Sequence, residues 1–192
     1  ETNFLGWVKT WGGTFSAPPG SYPSYFAKAP EKCSRLAIDS SGNSITSGFF
    51  GETVDFDPSP LQQELRTSNG FTDAFLVKYN PDGNLLWALT WGGEKYDRGK
   101  DVLVDSSDFI YVTGDFYGTV DFDPGPDIDE IQSNSDEYHD AYISQFDPDG
   151  NYQWTITWGG TDATIPYRIV FDNQENLIVV GEFLGLVDFD PG

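Results

Sequence analysis

Cysteine, histidine and basic side chains are all scarce in this chain, and each scarcity closes off a chemistry. Cys33 is the single cysteine, so neither an internal disulfide nor a cysteine-based metal site can form. Its thiol is expected to be buried and inert. His139 is the single histidine, which rules out a three-histidine zinc site. A Ser-His-Asp triad would have to use it, yet no Gly-x-Ser-x-Gly elbow occurs. His139 therefore reads as a solvated loop residue. Ten basic residues face 31 acidic ones, for a net charge of −21. Such a surface repels phosphate backbones and anionic lipid, so neither nucleic acid nor a membrane surface is an expected partner. No apolar run approaches the ~18 residues a spanning helix needs. The opening Glu1-Thr2-Asn3-Phe4 has neither the basic nor the apolar part of an export leader. An exported form would carry its leader upstream or have lost it.

Aromatics, by contrast, are abundant, with 6 Trp, 10 Tyr and 15 Phe, and many recur at fixed spacing. Trp-Gly-Gly begins at Trp11, Trp91 and Trp158; Val-Asp-Phe-Asp-Pro begins at Val54, Val120 and Val187. Pro-Asp-Gly-Asn begins at Pro81 and Pro148. Trp91 and Trp158 stand 67 residues apart, as do Val120 and Val187, while Val54 and Val120 stand 66 apart. The first Trp-Gly-Gly interval is 80, which places an insertion in the Pro-, Gly-, Ser- and Tyr-rich stretch Thr14 to Pro30. A fixed period of this kind marks a repeat architecture.

Each unit reads as four short strands. The first is predicted over Arg35–Asp39, Asp101–Asp105 and Arg168–Asp172, apolar on both faces and so buried on both. The second covers Ile45–Phe50, Ile110–Phe116 and Leu177–Phe183. Each copy of it holds a glycine (Gly48, Gly114, Gly181), which signals a bulge or a close backbone approach. The third covers Ala74–Tyr79 and Ala141–Phe146. The fourth covers Leu5–Trp11, Leu85–Trp91 and Tyr152–Trp158, reached through the Pro-Asp-Gly-Asn hairpin turn. Within the fourth strands, tryptophans four apart share a face and are expected to pack between sheets. That makes eleven strands in the order one, four, four and two.

Four-stranded antiparallel units with no helical periodicity point to an all-β fold, a β-propeller of four-stranded blades. About three repeats are present, near 1–60, 61–127 and 128–192, as a partial ring within one segment spanning 1–192. The period is longer than the usual ~40–50 residues per blade, with the excess between second and third strands. Those loops are expected to project from one face. Three blades make too small a ring, so the chain is expected to belong to a larger chain or assembly. The runs Asp-Ser-Ser-Gly-Asn at Asp39, Tyr-Val-Thr-Gly at Tyr111, Val-Asp-Phe-Asp-Pro-Gly at Val120 and Asp-Ala-Phe-Leu-Val-Lys-Tyr-Asn-Pro-Asp-Gly-Asn at Asp73 resemble the bacterial and archaeal seven-bladed β-propeller repeat family. The resemblance covers nearly the whole chain. It implies an exported, often cell-surface, multidomain protein, and it carries over no catalytic residues.

The most suggestive chemistry lies in Asp-Phe-Asp-Pro. In extended backbone its two carboxylates point to one side: Asp55 with Asp57, Asp121 with Asp123, and Asp188 with Asp190. Carboxylate pairs beside backbone carbonyls suit calcium, the one cofactor these residues suggest. The same aspartates could instead cap the turn while the phenylalanine plugs the core. A catalytic acid pair should break the repeat. The acids that do so cluster in the loop Asp127–Asp140, which reads as solvated. The expected function is a non-enzymatic extracellular or cell-surface module that binds protein or glycan or spaces other domains. A calcium-stabilised adhesin and a polysaccharide-cleaving enzyme are the competing expectations.

Overall fold

The computed structural model describes Gly12, residues 31–135 and residues 137–189. The expected strand Leu5–Trp11, Trp7 within it, the loop Thr14–Pro30, and Asp190 lie outside the described residues. The other ten expected strands are all present. The first unit holds β1 (Lys32–Ile38), β2 (Ser44–Phe50), β3 (Thr53–Asp55), β4 (Leu65–Thr67), β5 (Asp73–Tyr79) and β6 (Leu85–Trp91). The second holds β7 (Arg98–Val104), β8 (Ile110–Phe116), β9 (Thr119–Asp121), β10 (Glu130–Gln132), β11 (Asp140–Phe146) and β12 (Tyr152–Gly160). The third holds β13 (Thr164–Phe171), β14 (Leu177–Phe183) and β15 (Val187–Asp188). Among the described residues there is no helix.

The sheets have the strand order of propeller blades. One runs β1-β2-β5-β6; the next runs β7-β8-β11-β12 with β15 added at its far edge; β13-β14 begin a third. All the blade pairings are antiparallel. Two small hairpins, β3 with β4 and β9 with β10, occupy the interval between second and third strands. In its first two copies the Val-Asp-Phe-Asp-Pro motif is thus part of a hairpin, where the sequence pattern predicts only a loop.

Local chemistry explains where the strands end. The aspartate after each first strand accepts two backbone N–H bonds across its turn. Asp39 takes Ser41 and Asn43, Asp105 takes Ser107 and Phe109, and Asp172 takes Gln174 and Asn176. Asn80 and Asp147 do the same for the Pro-Asp-Gly-Asn turns. Gly83 and Gly150 sit there at φ 77° and 89°, where a side chain would be strained.

The core lies between sheets. Val54, Phe56, Phe75 and Val77 fill one side of the first blade, all fully buried. On the other side Ala74, Leu76 and Trp91 meet Phe116, Phe122, Tyr142 and Phe146 of the second blade. The Trp91 ring lies 5.5 Å from Phe146 and 6.3 Å from Tyr142. Burying a large side chain in this way contributes roughly 1.5–3 kcal/mol. Neither blade covers these faces alone, which is the condition for a repeat protein.

Polar contacts tie the blades along their innermost strands. Asp101 of β7 pairs with Arg35 of β1 at 3.4 Å and accepts the Ile169 N–H of β13 at 3.0 Å, so one carboxylate joins three units. The strand turns repeat a second joint. The Ser40 hydroxyl donates to Asp108, and that of Ser106 to Glu175. Asp108 and Glu175 occupy φ 64° and 63°, where the first unit has Gly42 at 81°. The second and third units thus hold a strained acidic residue where the first has glycine, and the carboxylate reaches the preceding blade.

The first strands are not equally covered. β7 is sandwiched between β1 and β13, whereas most of β1 is exposed. Burial on both faces therefore holds for the middle copy alone.

Candidate binding face

The turns from fourth to first strand and the hairpins between second and third strands emerge at the same ends of the blades, so they build one face. The two strongest sequence motifs meet there. Gly12 bridges Asp55, and Gly159 and Gly160 pair with Asp188 and Val187. A Cβ placed on Gly93 would stand 2.2 Å from the Thr119 carbonyl oxygen. Gly93 and Gly160 therefore lie bare against the Val-Asp segment of the following unit. A side chain at either would collide with backbone, which cannot swing aside.

The candidate calcium ligands are placed as turn acceptors. Asp55 Oδ1 accepts the N–H groups of Asp57 and Glu64, and Asp121 Oδ1 those of Asp123 and Asp129. Asp57 takes the N–H of Ser59, and Asp123 that of Gly125. Phe56 and Phe122 between them are fully buried. Asp188 is exposed on β15. Among the described residues no group of three or more His, Cys, Asp or Glu side chains converges as a metal site requires. Chelating divalent cations is therefore expected to leave the melting midpoint unchanged. A fall of several degrees on adding chelator, reversed by calcium, would show these turns to be loaded.

Residues that break the repeat collect at the centre of this face. Asp115, fully buried at the end of β8, faces Arg98 Nη2 at 2.5 Å, Lys100 Nζ at 3.1 Å and His139 Nδ1 at 3.2 Å. By repeat position Asp115 corresponds to Phe49 and Glu182, Arg98 to Lys32 and Ile165, and His139 to Thr72. A buried carboxylate with two cations on it is compensated, so removing one partner is far costlier than its absence from the start. His139 Nε2 lies 3.2 Å from Arg98 Nη2, which only donates, so Nε2 is the acceptor of that contact and the neutral ring carries its proton on Nδ1. Burial holds the His139 pKa below its usual value; Arg98 and Lys100 push it the same way, against Asp115. This corrects the reading of His139 as a solvated loop residue: its side chain is 19% exposed and its ring packs on Tyr117. Cys33 is corrected in the opposite sense, since it is exposed on β1.

Beside this centre lies a cleft of about 550 Å³ lined by Asn69, Glu94, Lys95, Tyr117, Asp121 and Glu130, with glycines at its floor. Lys95 Nζ stands 4.3 Å from the Tyr117 ring centre. The next junction has a second cleft, bounded by Asn134, Thr161, Leu186 and Asp188. The same kind of hollow therefore recurs from blade to blade with different side chains. In the loop Asp127–Asp140 most residues are exposed, as expected, but its ends are anchored. Asp129 accepts the Tyr152 hydroxyl, and buried Asp140 accepts both N–H groups of Asn134.

Beneath the face, Asp97 is fully buried and accepts the N–H groups of Gly93 and Tyr117 at 2.7 and 3.0 Å. Burial pushes its carboxyl up to about 7, outweighing those two bonds, and burial likewise raises Asp73 to about 6. A folded-state pKa above the unfolded one adds stability that is complete below about pH 4 and lost as pH rises through 6 to 7. His139, with its pKa lowered, acts oppositely: its share is complete above about 6.5 and shrinks as the pH falls below that. The two acids are expected to dominate, so the midpoint should fall between pH 5 and 8, with Asp97 contributing on the order of 2–4 kcal/mol. Asp97→Asn should be less stable at pH 5, because an amide offers one oxygen to two donors. It should also lose most of the pH slope. A slope unchanged in that variant would remove Asp97 as its source.

Blades of four antiparallel strands, stacked through a repeated aromatic core, define a β-propeller-type repeat protein; the described strands do not close a ring. No protein-family profile matches the chain. Two curated proteins are similar to it. An uncharacterized WD repeat-containing protein of Acanthamoeba polyphaga mimivirus is 25% identical over 177 residues, covering 79% of this chain and 12% of that protein. The regulatory protein FlaEY of Caulobacter vibrioides is 28% identical over 126 residues, covering 64% of this chain and 13% of its own. The chain thus spans about an eighth of the length of these relatives. WD repeats are themselves propeller blades of four strands, in keeping with the architecture here.

Proposed function

We propose that this chain is a non-catalytic interaction module that binds a protein or glycan partner, or spaces neighbouring domains, at the cell surface. One observation carries the reading. Residues that obey the repeat are largely engaged in blade packing and turn caps, whereas Lys95, Arg98, Lys100, Tyr117 and His139, which break it, gather on the face built by the hairpins and turns. A rigid scaffold presenting one asymmetric patch is how repeat proteins recognise partners. Similarity to a WD repeat-containing protein supports an interaction role. The acidic surface and the resemblance to an exported repeat family support the extracellular setting.

Panels of extracellular proteins and glycans, probed with the chain and with a Lys95→Ala/Tyr117→Ala double variant, test this. Binding that drops at least tenfold in the variant supports the reading. Equal binding by both proteins moves recognition elsewhere. Turnover of a polysaccharide, abolished by changing Asp127 or Glu137, would replace it with an enzyme.

A further inference from the structure

Phe71 and Tyr96 form an aromatic step beside the cleft at the junction of the first two blades. Their rings stack 4.9 Å apart at an interplanar angle of 13°. Phe71 is 61% exposed, whereas Phe75, four residues later on β5, is fully buried. Phe71 stands just before β5 and Tyr96 in the turn from β6 to β7, so the step lies where two complete four-strand blades meet. It also breaks the repeat. Sixty-seven residues on, the two places are held by Tyr138 and Ala163, and one ring of the stack is lost.

Backbone contacts hold the step in place. The N–H groups of Phe71 and Thr72 both donate to the Lys95 carbonyl, at 2.9 and 3.2 Å, and the Asp97 N–H donates to the Thr72 carbonyl at 2.9 Å. Gly70 packs so closely on Glu94 that a Cβ there would stand 2.3 Å from its carbonyl carbon. Asn69 Nδ2 donates to the Gly92 carbonyl at 3.0 Å. Residues 69–72 and 92–97 are therefore one braced unit, and the same segments supply one wall of the cleft of about 550 Å³. An aromatic surface fixed before a ligand arrives loses little freedom on binding.

The cleft selects among ligands by its chemistry. None of its described lining residues is Val, Leu or Ile, so it offers no pocket to an aliphatic side chain. It is rich in acceptors instead. The carboxylates of Glu94 and Glu130 and the amide oxygen of Asn69 have no hydrogen-bond partner among the described residues. Three carboxylates, Glu94, Asp121 and Glu130, stand against one cation, Lys95, so a negatively charged ligand is repelled. A flat apolar surface beside a fringe of acceptors complements a molecule with one C–H face and a rim of hydroxyl donors.

We infer that the step and the cleft bind a neutral oligosaccharide. One pyranose ring stacks on Phe71, and hydroxyls of the adjoining rings donate to Asn69, Glu94 and Glu130. The assignment rests on the reading of this face as a binding site, and it selects glycan over protein as the partner.

Cellohexaose and mannohexaose are the probes, with hexagalacturonate as the anionic control, titrated by calorimetry into the chain. At least one neutral hexasaccharide should bind saturably and slow hydrogen exchange of the amides of residues 69–72 and 93–96, while hexagalacturonate should not bind. Phe71→Ala should weaken the sugar about tenfold, the loss of one stacking contact. Its melting midpoint should stay at the wild-type value, because the ring is exposed. Phe71→Trp, which keeps a stacking surface, should retain binding. Equal affinity of the wild-type and alanine proteins, no binding of either neutral sugar, or tighter binding of hexagalacturonate would overturn the assignment. Protein binding that is lost in the Lys95→Ala/Tyr117→Ala variant while no sugar binds would overturn it too, yet leave the interaction module standing.

Discussion

Trp91→Ala is expected to destabilise the chain by about 3–5 kcal/mol, measured as a shift of the urea midpoint. Trp91 is 2% exposed and is held between two blades, with Tyr142 and Phe146 on the far side. Truncation would leave a cavity at the joint that neither sheet could close, because each is braced by its own ladder. Trp158 carries the same motif, but it is only partly buried beside an apolar groove on β14. Trp158→Ala should therefore cost clearly less. Equal costs for the two variants would mean that the tryptophans serve their own strands and that stacking between blades contributes little.

Gly114→Val is expected to prevent folding of the second blade. A Cβ there would stand 1.9 Å from the Arg98 carbonyl oxygen, and the oxygen cannot retreat without breaking the bulged pairing of β7 with β8. Tyr142 closes the other side. Even Gly114→Ala should cost about 3 kcal/mol or more, at or above the upper end of ordinary overpacking. Circular dichroism and urea titration read both variants. An alanine variant with wild-type stability would show that the strand relaxes at this position and that the close approach is not required.

The strand positions were legible because period-2 patterning, the glycine turns and the 67-residue spacing all act locally. All ten expected strands within the described residues are strands, several to the residue: Leu85–Trp91, Ile110–Phe116 and Leu177–Phe183. The second-strand glycines were read as a bulge or a close approach. Both occur, since the opposing first strand slips register at Cys33/Arg35, Gly99/Asp101 and Pro166/Arg168. The small hairpins were missed because three-residue strands such as Thr119–Asp121 are too short to show a period. His139 was misread for a related reason. Its neighbours Tyr138 and Glu137 are polar and exposed, and nothing nearby announces Asp115, which lies 24 residues earlier on the adjacent strand.

The amino-acid sequence determined the repeat, the four-strand unit and the tryptophan-rich stacking face, because spacing and alternation are properties of the chain itself. Only the tertiary structure decided that Trp-Gly-Gly docks on the next Val-Asp segment and that Asp101 ties three strands together. It alone gathered Arg98, Lys100 and His139 around the buried Asp115 carboxylate. Those contacts join residues from different strands and blades. Their energies depend on burial and on distances of about 3 Å, which no periodicity along the chain encodes.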